Sequence, residues 1–100
     1  MLINIDTTAC NVLRHYPVKR AAFFGSAAVG SMSDDSDIDM LVEFLPDTRG
    51  IEFFGLLVDL QEAFGCHVDL LTYDALETEA KPKFRENVLS NARVIYERSN

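Results

Sequence analysis

The segment Asp37 to Phe44, DIDMLVEF, places two carboxylates two residues apart in a run whose other members, Ile38, Met40, Leu41 and Val42, are core-forming types. A buried carboxylate without a partner is costly, so acids in such a run pair, take up a proton or bind a cation. In an extended strand alternate side chains share a face, which puts Asp37 and Asp39 together with Cα atoms roughly 6–7 Å apart, close enough to share an ion. Upstream, VKRAAFF from Val18 to Phe24 is an apolar run bounded by Pro17 and Gly25. It predicts a strand buried on at least one face. Gly25 to Ser36 joins the two runs and is rich in Gly, Ser and Asp. Within it, Ser26 to Val29 is predicted to make one helical turn whose free backbone N–H groups point at an anion.

The flanking elements follow from periodicity. Asp6, Thr7 or Thr8 is expected to cap a first helix with Ala9, Val12, Leu13 and Tyr16 at helical spacing, ending before Pro17. Leu45 to Gly50 is a loop with Asp47 or Thr48 as the expected cap of the next helix. That helix runs from Ile51 to Phe64 with a core stripe of Phe53, Leu57, Leu60 and Phe64, and stops at Gly65. Cys66 to Tyr73 predicts a third strand interrupted by Asp69; Asp74 to Ala80 is acidic and irregular or briefly helical. Pro82 opens a helix through about Asn91, and Val94 to Tyr96 is a last short strand or an extended tail. The order predicts an α/β domain: a small mixed sheet with helices packed against it.

One hundred residues make one small domain, and a 48 % hydrophobic fraction excludes a disordered chain. No apolar run approaches the roughly 20 residues of a spanning helix, and the N-terminus lacks the regions of a signal peptide, so a cytoplasmic protein is expected. Cys10 and Cys66 each adjoin apolar residues and read as buried, reduced thiols. Residues 34 to 79 hold thirteen acids and one base, Arg49. A centre of that sign repels a phosphate backbone, which argues against direct nucleic-acid binding.

Two phosphate or cation motifs are excluded by their missing parts. Gly25 to Gly30 has the glycine spacing of a P-loop, but Ser31 stands where the phosphate-binding lysine belongs. Asp35, Asp37 and Asp39 match the opening acids of an EF-hand, but Met40 and Pro46 replace its glycine and final glutamate. Ser26 lacks the surroundings of a nucleophile and suits a phosphate contact instead. His67 shares a face with Asp69 by alternation and reads as a partly buried or surface histidine; His15 reads as helix surface.

Gly25-Ser26, Gly30 and Ser36-Asp37-Ile38-Asp39-Met40-Leu41-Val42 together resemble the signature of the polymerase-β-like nucleotidyltransferases. With VDLLT supplying a third acid, Asp69, after one amphipathic helix, the chain resembles a minimal nucleotidyltransferase (MNT) domain. Such domains are commonly antitoxin partners of HEPN toxins. The resemblance implies a polymerase-β-like fold over the whole chain, with Asp37, Asp39 and Asp69 as catalytic acids that hold two Mg²⁺ ions. It also implies Gly25, Ser26 and Ser36 as nucleotide-binding residues. The implied reaction is transfer of AMP from ATP to a hydroxyl, with a tyrosine of a HEPN toxin as acceptor and a hetero-oligomeric complex as its setting. The acidic stretch around Asp74, Glu77 and Glu79 is a candidate docking surface. Where many members carry arginine before the second loop glycine, this chain has Val29. An antitoxin that neutralises by binding alone is therefore an alternative. An aminoglycoside-type small-molecule transferase is a third reading, opposed by the lack of a further acceptor-binding domain.

Overall fold

The computed structural model describes residues 4–29 and 37–98. The elements are α1 (Ile5–Leu13), β1 (Val18–Phe24), α2 (Ser26–Val29), β2 (Ile38–Phe44), α3 (Ile51–Phe64), β3 (Val68–Thr72), α4 (Tyr73–Glu79), α5 (Pro82–Asn91) and β4 (Arg93–Glu97). The four strands form one mixed sheet in the order β3-β2-β1-β4. β1 is antiparallel to both β2 and β4, whereas β2 and β3 are parallel. A parallel neighbour needs a crossover, and α3 supplies it.

Both faces of the sheet are covered, which explains why the two central strands read as continuous apolar runs. On one face Ala21, Phe23, Met40 and Val42 pack against Leu13 of α1 and Leu56 and Leu60 of α3. On the other, Ala22 and Leu41 meet Tyr73 and Leu76 of α4 and Val88 of α5. Each fully buried leucine contributes about 1.5–3 kcal/mol relative to exposure.

Several local expectations are corrected. The cap of α1 is Asn4, whose side chain accepts from the Thr7 N–H at 3.1 Å, rather than Asp6, Thr7 or Thr8. The N-cap of α3 is Gly50, with no side-chain cap bond; Thr48 Oγ1 donates to the Leu45 carbonyl and Asp47 adopts φ 65°. Its buried positions are Leu56 and Leu60, so the core stripe includes Leu56, while Phe53, Leu57 and Phe64 are half-buried. Gly55, mid-helix, leaves room for Tyr16: a β-carbon there would lie 3.3 Å from the ring and hydroxyl.

The acidic stretch after β3 is a helix, α4, because Thr72 caps it by accepting from the Ala75 N–H at 3.0 Å. The C-terminal segment is a true strand, β4, on the free edge of β1. Cys10 and Cys66 are free thiols, but half-buried rather than buried. Among the described residues no helix is long and apolar enough to cross a membrane.

Candidate active site

The acids meet at one end of the sheet because of strand register. In the parallel β2–β3 pair Asp39 lies opposite Asp69, and in the antiparallel β1–β2 pair it lies opposite Phe24. Asp39 and Asp69 thus stand side by side on the face that α4 and α5 cover. Asp37 lies just before β2, where the Ile38 N–H bonds the His67 carbonyl at 3.1 Å and ties the entries of the two strands together. His67 Nδ1 is 3.4 Å from Asp37 Oδ2 and 3.6 Å from Asp69 Oδ1. Ligand atoms of Asp37, His67 and Asp69 all fall within 4.8 Å of one another, in a solvent-open arrangement.

Asp39 is deeper than these three. Burial, the hydrogen bond and charge of Asp69, and the charge of Asp37 push its pKa up to about 6, while His67 lowers it. A carboxylate made to hold its proton by burial and neighbouring acids, as Asp39 is, is what a hard cation would relieve, since such ions prefer several oxygen ligands. The donor set therefore fits Mg²⁺, with Asp69 linking the other two acids.

Gly25 shapes the other wall. It has φ 63°, and a β-carbon on it would lie 2.5 Å from Asp39 Oδ2. Ser26 follows as the first residue of α2 and is half-buried. The short α2 is held from behind by Arg93, which donates to the Ala28 carbonyl at 3.2 Å and the Ala27 carbonyl at 3.4 Å. The same guanidinium grips Asp6 at 2.6 and 3.1 Å. Ser36, and Gly30 of the loop signature, lie outside the described residues.

Two clefts share Asp39, Phe24 and Phe84. One, about 420 Å³, runs between α2 and α5 past Gly25, Val29 and Asn87. The other, about 500 Å³, extends to Asp69, Leu70 and Leu71. A larger hollow of about 840 Å³ lies at the opposite end of β2, around Phe44 and Phe53, away from the acids. The structure thus brings Gly25, Asp37, Asp39 and Asp69 together. Sequence reasoning put His67 on the face of Asp69 without a role in the site, and missed Phe84 and Arg93 as parts of this region. Nothing local marked Phe84 or Arg93.

Residues 8–100 match the family model described as "Polymerase beta, Nucleotidyltransferase". A provisionally named protein adenylyltransferase of Methanocaldococcus jannaschii is 36 % identical over 81 residues, covering 81 % of this chain and 83 % of its own. A solved structure described as a provisional minimal nucleotidyltransferase is 30 % identical, with TM-score 0.67 over 89 % of this chain and 86 % of its own. A chain from the crystal structure of a toxin-antitoxin with AMP-PNP has the same fold, with TM-score 0.73 at 22 % identity over 96 % of this chain and 75 % of its own. With a glycine turn against paired strand acids and a family match across nearly its whole length, the chain belongs to the polymerase β nucleotidyltransferase family.

Proposed function

We propose that this protein is an Mg²⁺-dependent protein adenylyltransferase that transfers AMP from ATP to a tyrosine hydroxyl of a HEPN-type toxin, and so acts as an antitoxin. The observation that carries this reading is the register that sets Asp39 beside Asp69, with Gly25 against the Asp39 carboxylate. The relatives named as adenylyltransferases support the reaction class. A further fold neighbour is an MNT antitoxin in complex with a tri-AMPylated Shewanella oneidensis HEPN toxin, which supports the partner class and a hetero-oligomer.

In this reading Asp37, Asp39 and Asp69 hold two Mg²⁺ ions, and Gly25, Ser26 and Ser36 contact the phosphates. The bound metal would supply charge neutralisation at the α-phosphate and the pyrophosphate. Asp69, solvent-open at the strand entry, takes the proton of the acceptor hydroxyl. The hydroxyl oxygen bonds to the α-phosphorus, the bond from that phosphorus to the bridging oxygen breaks, and pyrophosphate leaves. Gly25 keeps the turn close to Asp39 without a side chain between them.

The test is incubation with Mg²⁺, α-labelled ATP and the purified toxin. Label should move to the toxin with wild-type protein and fail to move with Asp37→Asn or Asp39→Asn. Unchanged labelling by those variants would overturn the assignment of the acids. Val29, 66 % exposed at the end of α2, favours one second reading. With no cation at that position, neutralisation by binding alone would give a stable complex and no label.

A further inference from the structure

The core-facing stripe of α5 carries an aromatic residue that the core does not cover. Val88 is 5 % exposed and anchors α5 on the sheet, and Phe84 lies four residues before it, one turn away on the same side. Phe84 is nevertheless 49 % exposed. Around it lie the carboxylates of Asp39 and Asp69 together with Phe24, Leu70 and Leu71 of the sheet. Phe84 therefore stands at the junction of the two clefts that share Asp39, with an uncovered ring beside the carboxylates.

The cleft toward α2 also has a polar edge. Asn91 Nδ2 donates to the Asn87 carbonyl and to Asn87 Oδ1, both at 2.9 Å. That pairing takes one acceptor site of the Asn87 amide oxygen and fixes the side chain with its NH₂ group still able to donate. Apolar walls with a few placed polar groups are the usual make-up of a small-ligand site.

We propose that Phe84 is the platform on which the nucleobase of the substrate stacks, favouring the larger purine face, and that Asn87 donates a hydrogen bond to the base edge. This rests on the nucleotidyltransferase reading above. The phosphates and base belong to one molecule, so the base occupies the cleft that contains Gly25. The cleft that contains Asp69 is left for the acceptor hydroxyl. An aromatic ring stacks on any base, and a purine presents the larger face to it.

Calorimetric titration with Mg²⁺ present would compare ATP, CTP and inorganic tripolyphosphate, which has the phosphates but no base. Phe84→Ala and Phe84→Leu should weaken ATP binding roughly tenfold or more while leaving tripolyphosphate unchanged. Phe84→Trp should retain ATP affinity and the preference for ATP over CTP, and Asn87→Ala should weaken ATP and CTP alike while leaving tripolyphosphate unchanged. Phe84→Leu keeps the apolar packing, so unaltered ATP affinity in that variant overturns the platform, as does an equal loss of ATP and tripolyphosphate. If wild-type protein binds neither ligand, the nucleotidyltransferase reading falls with the proposal. Tripolyphosphate bound as tightly as ATP would sink the base site alone.

Discussion

Gly25 runs so close to Asp39 that a β-carbon on the glycine would sit 2.5 Å from the Asp39 Oδ2 atom. The turn also has φ 63°, a conformation that costs an L-residue about 1–2 kcal/mol. Gly25→Ala should therefore lower stability by about that amount in urea denaturation. It should also displace the Asp39 carboxylate and slow AMP transfer on the order of a hundredfold, since small misplacements at a reacting centre are that costly. A variant that lost stability but transferred AMP at the wild-type rate would separate the turn from the chemistry.

Asp39 makes the metal-free protein sensitive to pH. Its pKa is raised to about 6 from an ordinary 3.8, chiefly by burial and then by Asp69 and Asp37. A raised carboxyl pKa favours the fold below the unfolded value, and this contribution is lost as pH rises through about 6. In EDTA, Asp39→Asn should be more stable than wild type at pH 7.5, and its melting temperature should change less between pH 4 and 7.5. Parallel melting profiles for the two proteins across that window would contradict the account.

Magnesium should reverse that cost. A ligand bound only by the folded state stabilises it by about 2.7 kcal/mol at a hundred times its dissociation constant. Titrating Mg²⁺ should thus raise the melting temperature of wild-type protein. Asp37→Asn and Asp69→Asn should each blunt the rise, because both acids belong to the open ligand group at the strand entries. Equal Mg²⁺ shifts in all three proteins would indicate binding elsewhere.

Tyr16 links α1's end to α3 by donating its hydroxyl to Asp59, and this bond holds the phenol pKa at about 12. Tyr16→Phe keeps the ring over Gly55 but removes that bond. The expected loss is about 1 kcal/mol in chemical denaturation, with AMP transfer and Mg²⁺ binding unchanged. A drop in transfer rate at full occupancy would show that the helix pair reaches the site.

Much of the architecture was legible because it follows from local pattern. Val18–Phe24 and Ile51–Phe64 have the boundaries that Pro17, Gly25 and Gly65 predict, and Pro82 opens α5. The failures were equally physical. Asn4, not a nearby Asp or Thr, caps α1, because cap geometry depends on backbone angles that composition does not reveal; of the two forms open to the acidic stretch, the Thr72 cap selects the short helix. Leu56 was missed in α3 because its burial depends on which neighbours reach the helix, not on period alone.

The spacing of Asp37 and Asp39 in an apolar run, after a Gly-Ser turn, determined by itself that acids would share one strand face near an anion-friendly loop. Strand alternation is a local property, written in the chain. The family resemblance named Asp69 as the third acid; that it would stand opposite Asp39, that His67 would bridge Asp37 and Asp69, and that Phe84 would stand uncovered beside them was decided only by tertiary structure. Those placements depend on the register of β2 against β3 and on where α5 crosses the sheet. Both are set by packing between segments thirty or more residues apart, so no local pattern in the chain encodes them.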